Sequence, residues 1–185
     1  MPESFIHSDA KIDLYWSLLQ DDDEVYAEVE KGIGRTRTDV LTEVDGNLVA
    51  IEIQSTRIPL KSILRRMSEH TEIGAHTLWL VTPEALLYDA KVRNLNWVRF
   101  IQQLQGGMIF LPSTVKPEQI IPARIDNTLL FQRDKIVVGK RKFLEKREPI
   151  NLTALRFEKE SYFGLNTATW NEWWIERDLE LSTLV

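Results

Sequence analysis

At 185 residues the chain is long enough to bury a sizeable core and suits one domain, or one domain with an appendage. Cysteine is absent, which excludes disulfides, thiolate metal sites and cysteine nucleophiles, and no run of about 18 apolar residues offers a transmembrane span. A net charge of −5 and a pI near 5.3 argue against a broadly basic nucleic-acid binder, and the start MPESFIHSD lacks the basic and apolar regions of a signal peptide, so a cytoplasmic location is expected.

Ser8 reads as the N-cap of a first helix running to Gln20, with Ile12, Tyr15, Trp16 and Leu19 as its apolar stripe. The acidic run Asp21-Asp22-Asp23-Glu24 ends it without the alternating ligand spacing of a calcium loop. Three strands follow, at 25–31, 36–44 and 48–54. In the first, Val25, Ala27 and Val29 alternate with Tyr26, Glu28 and Glu30, as in a half-buried strand. The second and third flank Asp45-Gly46, the dipeptide that most favours a two-residue type I′ turn. That turn sets Val44 opposite Asn47, Leu41 opposite Ala50, Asp39 opposite Glu52 and Arg37 opposite Gln54. Opposed residues share a face with Cβ atoms about 4.5–5.5 Å apart, so two carboxylates so placed repel unless a cation lies between them.

A four-residue loop at Gly32-Ile33-Gly34-Arg35 would set Glu28 opposite Asp39 and Glu30 opposite Arg37. Glu28, Asp39 and Glu52 would then line up across three strands, a pattern suited to a divalent metal. Glu30 is the rival for the third acid, because register depends on the loop count. Each acid taken singly also fits an ordinary solvated sheet face.

Pro59 opens a second helix, 60–73, with Leu60, Ile63, Leu64 and Met67 inward and Gly74 as its C-terminal stop. The continuously apolar Thr77–Val81 suits a strand covered on both faces, and strand–helix–strand in this order implies a right-handed crossover and a mixed sheet. A third helix is expected at 91–105, with Val92, Leu95, Val98, Ile101 and Leu104 inside. Short strands are expected at 108–111, 129–132 and 135–138. From Phe131 to Ile150 seven basic residues, Lys140, Arg141 and Lys142 among them, stand against three acids. This strip fits a nucleic-acid backbone contact and an ordinary solvated hairpin equally. A last helix at 170–181 carries Trp170, Trp173 and Trp174, a spacing that suits core or dimer contact better than a base-stacking platform. The division expected is 1–123 as a core with an added helix and 124–185 as an elaboration packed on it.

The order helix, three strands, helix, strand, with Asp39 on the second strand and Glu52-Ile53-Gln54 on the third, resembles the PD-(D/E)xK nuclease superfamily. The runs R-T-D-V-L (37–41) and E-I-Q-S (52–55), Arg66 four residues before His70, the Leu-Trp-Leu-Val strand and the His7/Lys11 spacing resemble, more narrowly, the competence protein CoiA-like nucleases. So does the segment from Trp97 to Pro122, and the likeness spans residues 5–123. It implies an α/β restriction-endonuclease-like αβββαβ core with a mixed central sheet and a C-terminal α+β elaboration. It further implies a DNA nuclease dependent on Mg²⁺ or Mn²⁺, acting in DNA uptake, recombination, repair or a mobile element. Asp39 and Glu52 take the places of the metal-binding acids, and Gln54 stands at the usual catalytic lysine. His70 departs from the tyrosine more typical of the helix motif.

On this reading Asp39, Glu52 and the Ile53 carbonyl bind the ion and Glu28 holds a second ion or a water. Gln54 can orient water but brings no positive charge. Arg37 is the cation best placed by register to take that charge over, with Lys61 and Lys11 behind it; a plain ion pair with Glu30 is the competing reading for Arg37. Lys61, Arg65, Arg66, His70, His7 and Lys11, with Lys140, Arg141 and Lys142, are the candidate DNA contacts. His70 suits a structural or DNA-proximal place better than a metal ligand. DNA is the expected partner, a homodimer is open, and no membrane is expected. The alternatives are a nuclease fold that binds DNA without turnover and a structural protein whose acids only solvate a sheet face.

Overall fold

The computed structural model describes residues 5–21, 26–88, 91–92, 96–132 and 135–170, with backbone alone at 5–7, 20–21, 87–88, 91–92, 126–132 and 135–145. In chain order the elements are α1 (Phe5–Asp21), β1 (Ala27–Ile33), β2 (Thr36–Val44), β3 (Asn47–Gln54), α2 (Leu60–Glu72), β4 (His76–Val81) and a short α3 (Pro83–Leu86). They continue with β5 (Leu87–Tyr88), β6 (Lys91–Val92), α4 (Asn96–Leu104), β7 (Ile109–Pro112), β8 (Gln119–Gln132), β9 (Lys135–Lys146), β10 (Ile150–Asn151), β11 (Arg156–Glu158) and β12 (Thr167–Thr169).

One mixed, mostly antiparallel sheet carries the fold, in the order β1-β2-β3-β4-β7-β8-β10, with β9 on β8 and β12 joining β11 to β4. β1, β2 and β3 form an antiparallel meander; β3, β4 and β7 run parallel. β4 is buried along its whole length, as its unbroken apolar run requires. One face of the sheet packs Val40, Ile51, Ile53, Leu78, Leu80 and Phe110 against Leu14 and Leu18 of α1. The opposite face packs Trp79 and Val81 against Ile63 and Met67 of α2 and Val98, Ile101 and Leu104 of α4. Trp170 closes the first of these cores.

Several elements depart from their sequence expectations. The helix α1 begins before Ser8, and its buried side is Lys11, Leu14 and Leu18, not the expected stripe, in which Ile12 and Trp16 are exposed and Tyr15 and Leu19 only half-buried. Apolar residues lie on more than one side of this helix, so periodicity alone selects no face, and Lys11 is drawn in by an acid described below. On α2 the inner stripe is Ile63, Met67 and His70, while Leu60 is exposed. The helix ends where Gly74, at φ 78°, lets the N–H groups of Gly74 and Ala75 donate back to Thr71 and His70 carbonyls at 2.9 Å each. The third predicted helix is shorter, and the short strands at 129–132 and 135–138 are the ends of the long β8–β9 ribbon. The boundary drawn at 123/124 falls within β8. The tryptophan-rich helix expected at 170–181 lies outside the described residues apart from Trp170.

Candidate nuclease centre

The β2–β3 hairpin turns as its sequence demands. Asp45 and Gly46 both take positive φ (48° and 73°), the signature of a type I′ turn. The register then runs Val44↔Asn47, Leu41↔Ala50 and Val40↔Ile51. Beyond Val40 the ladder gives way to side chains: the Ile53 N–H donates to Asp39 Oδ2 at 2.8 Å, and the Thr38 hydroxyl donates to the Ile51 carbonyl at 3.2 Å. Asp39 is thereby tied to the strand that carries Glu52. Glu52 pairs with Trp79 in the β3–β4 ladder and faces α2.

The β1–β2 hairpin differs from expectation. Only Gly34 and Arg35 form the turn, and Ile33 pairs with Thr36, Gly32 with Arg37 and Glu28 with Leu41. Glu28 therefore does not face Asp39, which corrects the three-acid alignment. It is half-buried, accepts from Lys31 Nζ at 3.0 Å and from the Tyr26 hydroxyl, and these donors hold its carboxyl below the usual range. Position 30 now falls opposite Asp39, yet Glu30 leaves the ladder at φ 56°. Its carboxylate meets the buried Lys11 ammonium and, at 2.9 Å, the Arg37 guanidinium, and Lys11 above all pulls its pKa down. Arg37 is 67% exposed and makes the ion pair that was its competing reading.

Glu52 is almost fully buried. From α2, Arg66 pairs with its Oε2 and also donates to the Arg37 carbonyl at 3.3 Å. His70, fully buried, brings Nε2 to 3.3 Å from Glu52 Oε1, outside hydrogen-bond alignment, so neither atom has a hydrogen-bond partner. The other ring nitrogen, Nδ1, lies 3.0 Å from Thr77 Oγ1 of β4. Burial pushes the Glu52 carboxyl up, assisted by the charge of Asp39 and opposed by His70 and Arg66.

Gln54, partly exposed on the same face as Glu52, donates its amide to the Thr56 carbonyl at 2.6 Å. Lys61 and Arg65 are exposed on α2, whereas Arg66 is half-buried and His70 wholly so. A residue without exposure cannot touch DNA from solvent, so His70 is not a DNA contact in this structure. Lys11 is withdrawn in the same way, into its pair with Glu30. His7 lies on α1 and Lys140, Arg141 and Lys142 lie on β9, but their side chains are outside the described ones.

Among the described residues, no group of three or more His, Asp or Glu side chains converges as a metal-ligand set. The donors still suit Mg²⁺ or Mn²⁺ in type. Such an ion often takes one or two carboxylates and completes its shell with water and substrate phosphate, and Glu52 Oε1 is an orphaned buried carboxylate oxygen beside Asp39. The link from Arg66 to Glu52, and that from Thr77 to His70, escaped the sequence reading. The 63–67–70 spacing on α2 does carry His70 inward, and Arg66 lies beside that stripe.

The family model described as "Competence protein CoiA, nuclease-like domain" matches residues 3–159. Comparison with curated proteins and with solved structures returns no match.

Proposed function

Given that this chain belongs to the competence protein CoiA nuclease-like family, we propose that it is a Mg²⁺- or Mn²⁺-dependent DNA nuclease whose centre is Asp39 and Glu52. The observation that carries this reading is the buried Glu52 carboxylate, with one oxygen unpartnered, beside an Asp39 anchored to the same strand. An acid is kept in so costly a place when it has a partner to bind. The order of the first six elements and the mixed sheet support a restriction-endonuclease-like core.

Asp39 and Glu52 would hold the ion, with the Ile53 carbonyl as a further donor. The ion would supply charge neutralisation at the phosphate and activation of the attacking water. The residues of the chain do the rest. Gln54, at the rim of the site, would orient the water through its amide after releasing Thr56. Arg66 is a cation in contact with Glu52, and it replaces Arg37 as the group that offsets charge there. Lys61 and Arg65 present positive charge on the open side of α2, where a phosphodiester backbone would pass. No helix among the described residues is long and apolar enough to cross a membrane. A homodimer would let both strands of a duplex be cut.

The test is cleavage of linear duplex, single-stranded, flap and four-way-junction DNA with Mg²⁺, Mn²⁺ or EDTA. Products that need the ion and vanish in Asp39→Ala support the nuclease. Binding to the same DNAs with no product under either ion would sink it in favour of a non-cutting binder, a reading favoured by the Arg66–Glu52 pair, which already neutralises one acid.

A further inference from the structure

His70 sits behind Glu52, and two facts limit what it can do there. It has no exposure to solvent, and its two ring nitrogens face different partners: Nδ1 meets Thr77 Oγ1 at 3.0 Å and Nε2 meets Glu52 Oε1 at 3.3 Å. A neutral imidazole has one N–H, so the partner of one nitrogen dictates the state of the other. We propose that Thr77 and His70 form a positioning relay for Glu52, in which the Thr77 hydroxyl donates to His70 Nδ1 and thereby holds the ring proton on Nε2, directed at Glu52 Oε1. The proposal rests on Glu52 being an acid of the nuclease centre.

The alternative tautomer is disfavoured by electrostatics. Against an ionised Glu52, a proton on Nδ1 would leave the bare Nε2 lone pair pointing at a carboxylate oxygen in a site with no water access, and both atoms would stay unsatisfied. With the proton on Nε2, a small adjustment closes the 3.3 Å approach into a hydrogen bond. Thr77 is well placed to impose that choice. Its backbone N–H donates to the Asn166 carbonyl at 3.2 Å, and it pairs with both Ala50 and Thr167, so its backbone is held between two neighbouring strands. Arg66 holds Oε2 and His70 faces Oε1, so the two α2 residues orient both oxygens of Glu52 while each oxygen keeps a second lone pair for an ion. Groups that orient a ligating carboxylate in this manner commonly cost 10–100-fold in metal affinity or activity when removed. His70 touches neither solvent nor any place a phosphate could reach, and it is therefore a positioning residue.

The experiment uses the full chain and reads the His70 tautomer by ¹⁵N NMR, Mn²⁺ affinity by calorimetry, and Mg²⁺-dependent cleavage kinetics. The wild type should show the Nε2–H form. Thr77→Val, equal in shape but without the hydroxyl, should lose the single tautomer, weaken Mn²⁺ binding about tenfold and lower kcat about tenfold with little change in KM. Thr77→Ser should restore all three. In a His70→Gln background, whose amide can donate to Oε1 unaided, Thr77→Val should cost nothing further. Proton on Nδ1 in the wild type, no effect of Thr77→Val, or an equal loss in the His70→Gln background would each overturn the relay. If the wild type cuts no DNA, the nuclease reading falls, while the tautomer and Mn²⁺ measurements still decide the relay.

Discussion

The two hairpins that share β2 are alike in length and opposite in how tightly local chemistry pins them. Between β2 and β3, Asp45-Gly46 accepts the two left-handed conformations of a type I′ turn, and every pair down to Val40↔Ile51 follows. Between β1 and β2, Gly32 and Gly34 are the first and third residues of a possible four-residue loop, and the chain closes on Gly34-Arg35 alone. Ile33 is the reason: it is buried with Leu41, Ala50 and Ala75 and cannot be spent in a loop. The resulting shift is two residues, which keeps each side chain on its face but changes its partner. Alternation thus fixes the face of an acid, and turn chemistry fixes its neighbour. One hairpin ties Asp39 to the strand that carries Glu52, while the other delivers Glu28 to Lys31 and Tyr26 and Glu30 to Lys11.

The largest expected effect lies at the well-pinned hairpin. Asp39→Ala and Glu52→Gln should each abolish cleavage in the substrate panel, whereas Glu28→Ala should cut at the wild-type rate; equal losses in all three would restore the three-acid model. Arg66→Ala should lower stability by about 3 kcal/mol in urea unfolding, because it leaves the Glu52 carboxylate buried without its cation, and Glu52→Gln in the same chain should recover part of the loss. Glu30→Ala should cost about 1–2 kcal/mol by removing a charged partner of buried Lys11, with Glu28→Ala showing no shift in the urea midpoint. Gly46→Ala, at φ 73° with open space around the added methyl, should cost about 1 kcal/mol from backbone strain alone.

The smallest effect is a difference in pH slope. The Glu52 carboxyl is raised on folding, so its contribution is full below the unfolded value near 4.3 and is lost as pH rises through the folded value. The Glu30 carboxyl is lowered, so its contribution is present above the unfolded value and lost as pH falls through the folded one. Melting temperatures measured against pH should therefore gain on the alkaline side in Glu52→Gln and flatten on the acid side in Glu30→Gln; the reverse pattern would contradict the burial of Glu52.

Much of this molecule is set by short-range rules that the chain alone obeys. Period-two alternation, Asp45-Gly46, Gly74 and the apolar run of β4 determine the first strands, one register, a helix end and the burial of the central strand, because each acts within a few residues. The places of Asp39 on β2 and Glu52 on β3 belong to that category. Which helix side turns inward, which turn closes β1 to β2, and which groups surround Glu52 were decided only when α1 and α2 packed back on the sheet. Arg66 reaches Glu52 across 14 residues of chain, and Lys11 reaches Glu30 across 19. Neither contact has a local signal, since burial of a charge is tolerable only once its opposite is brought alongside, and that is a property of the folded arrangement rather than of any segment.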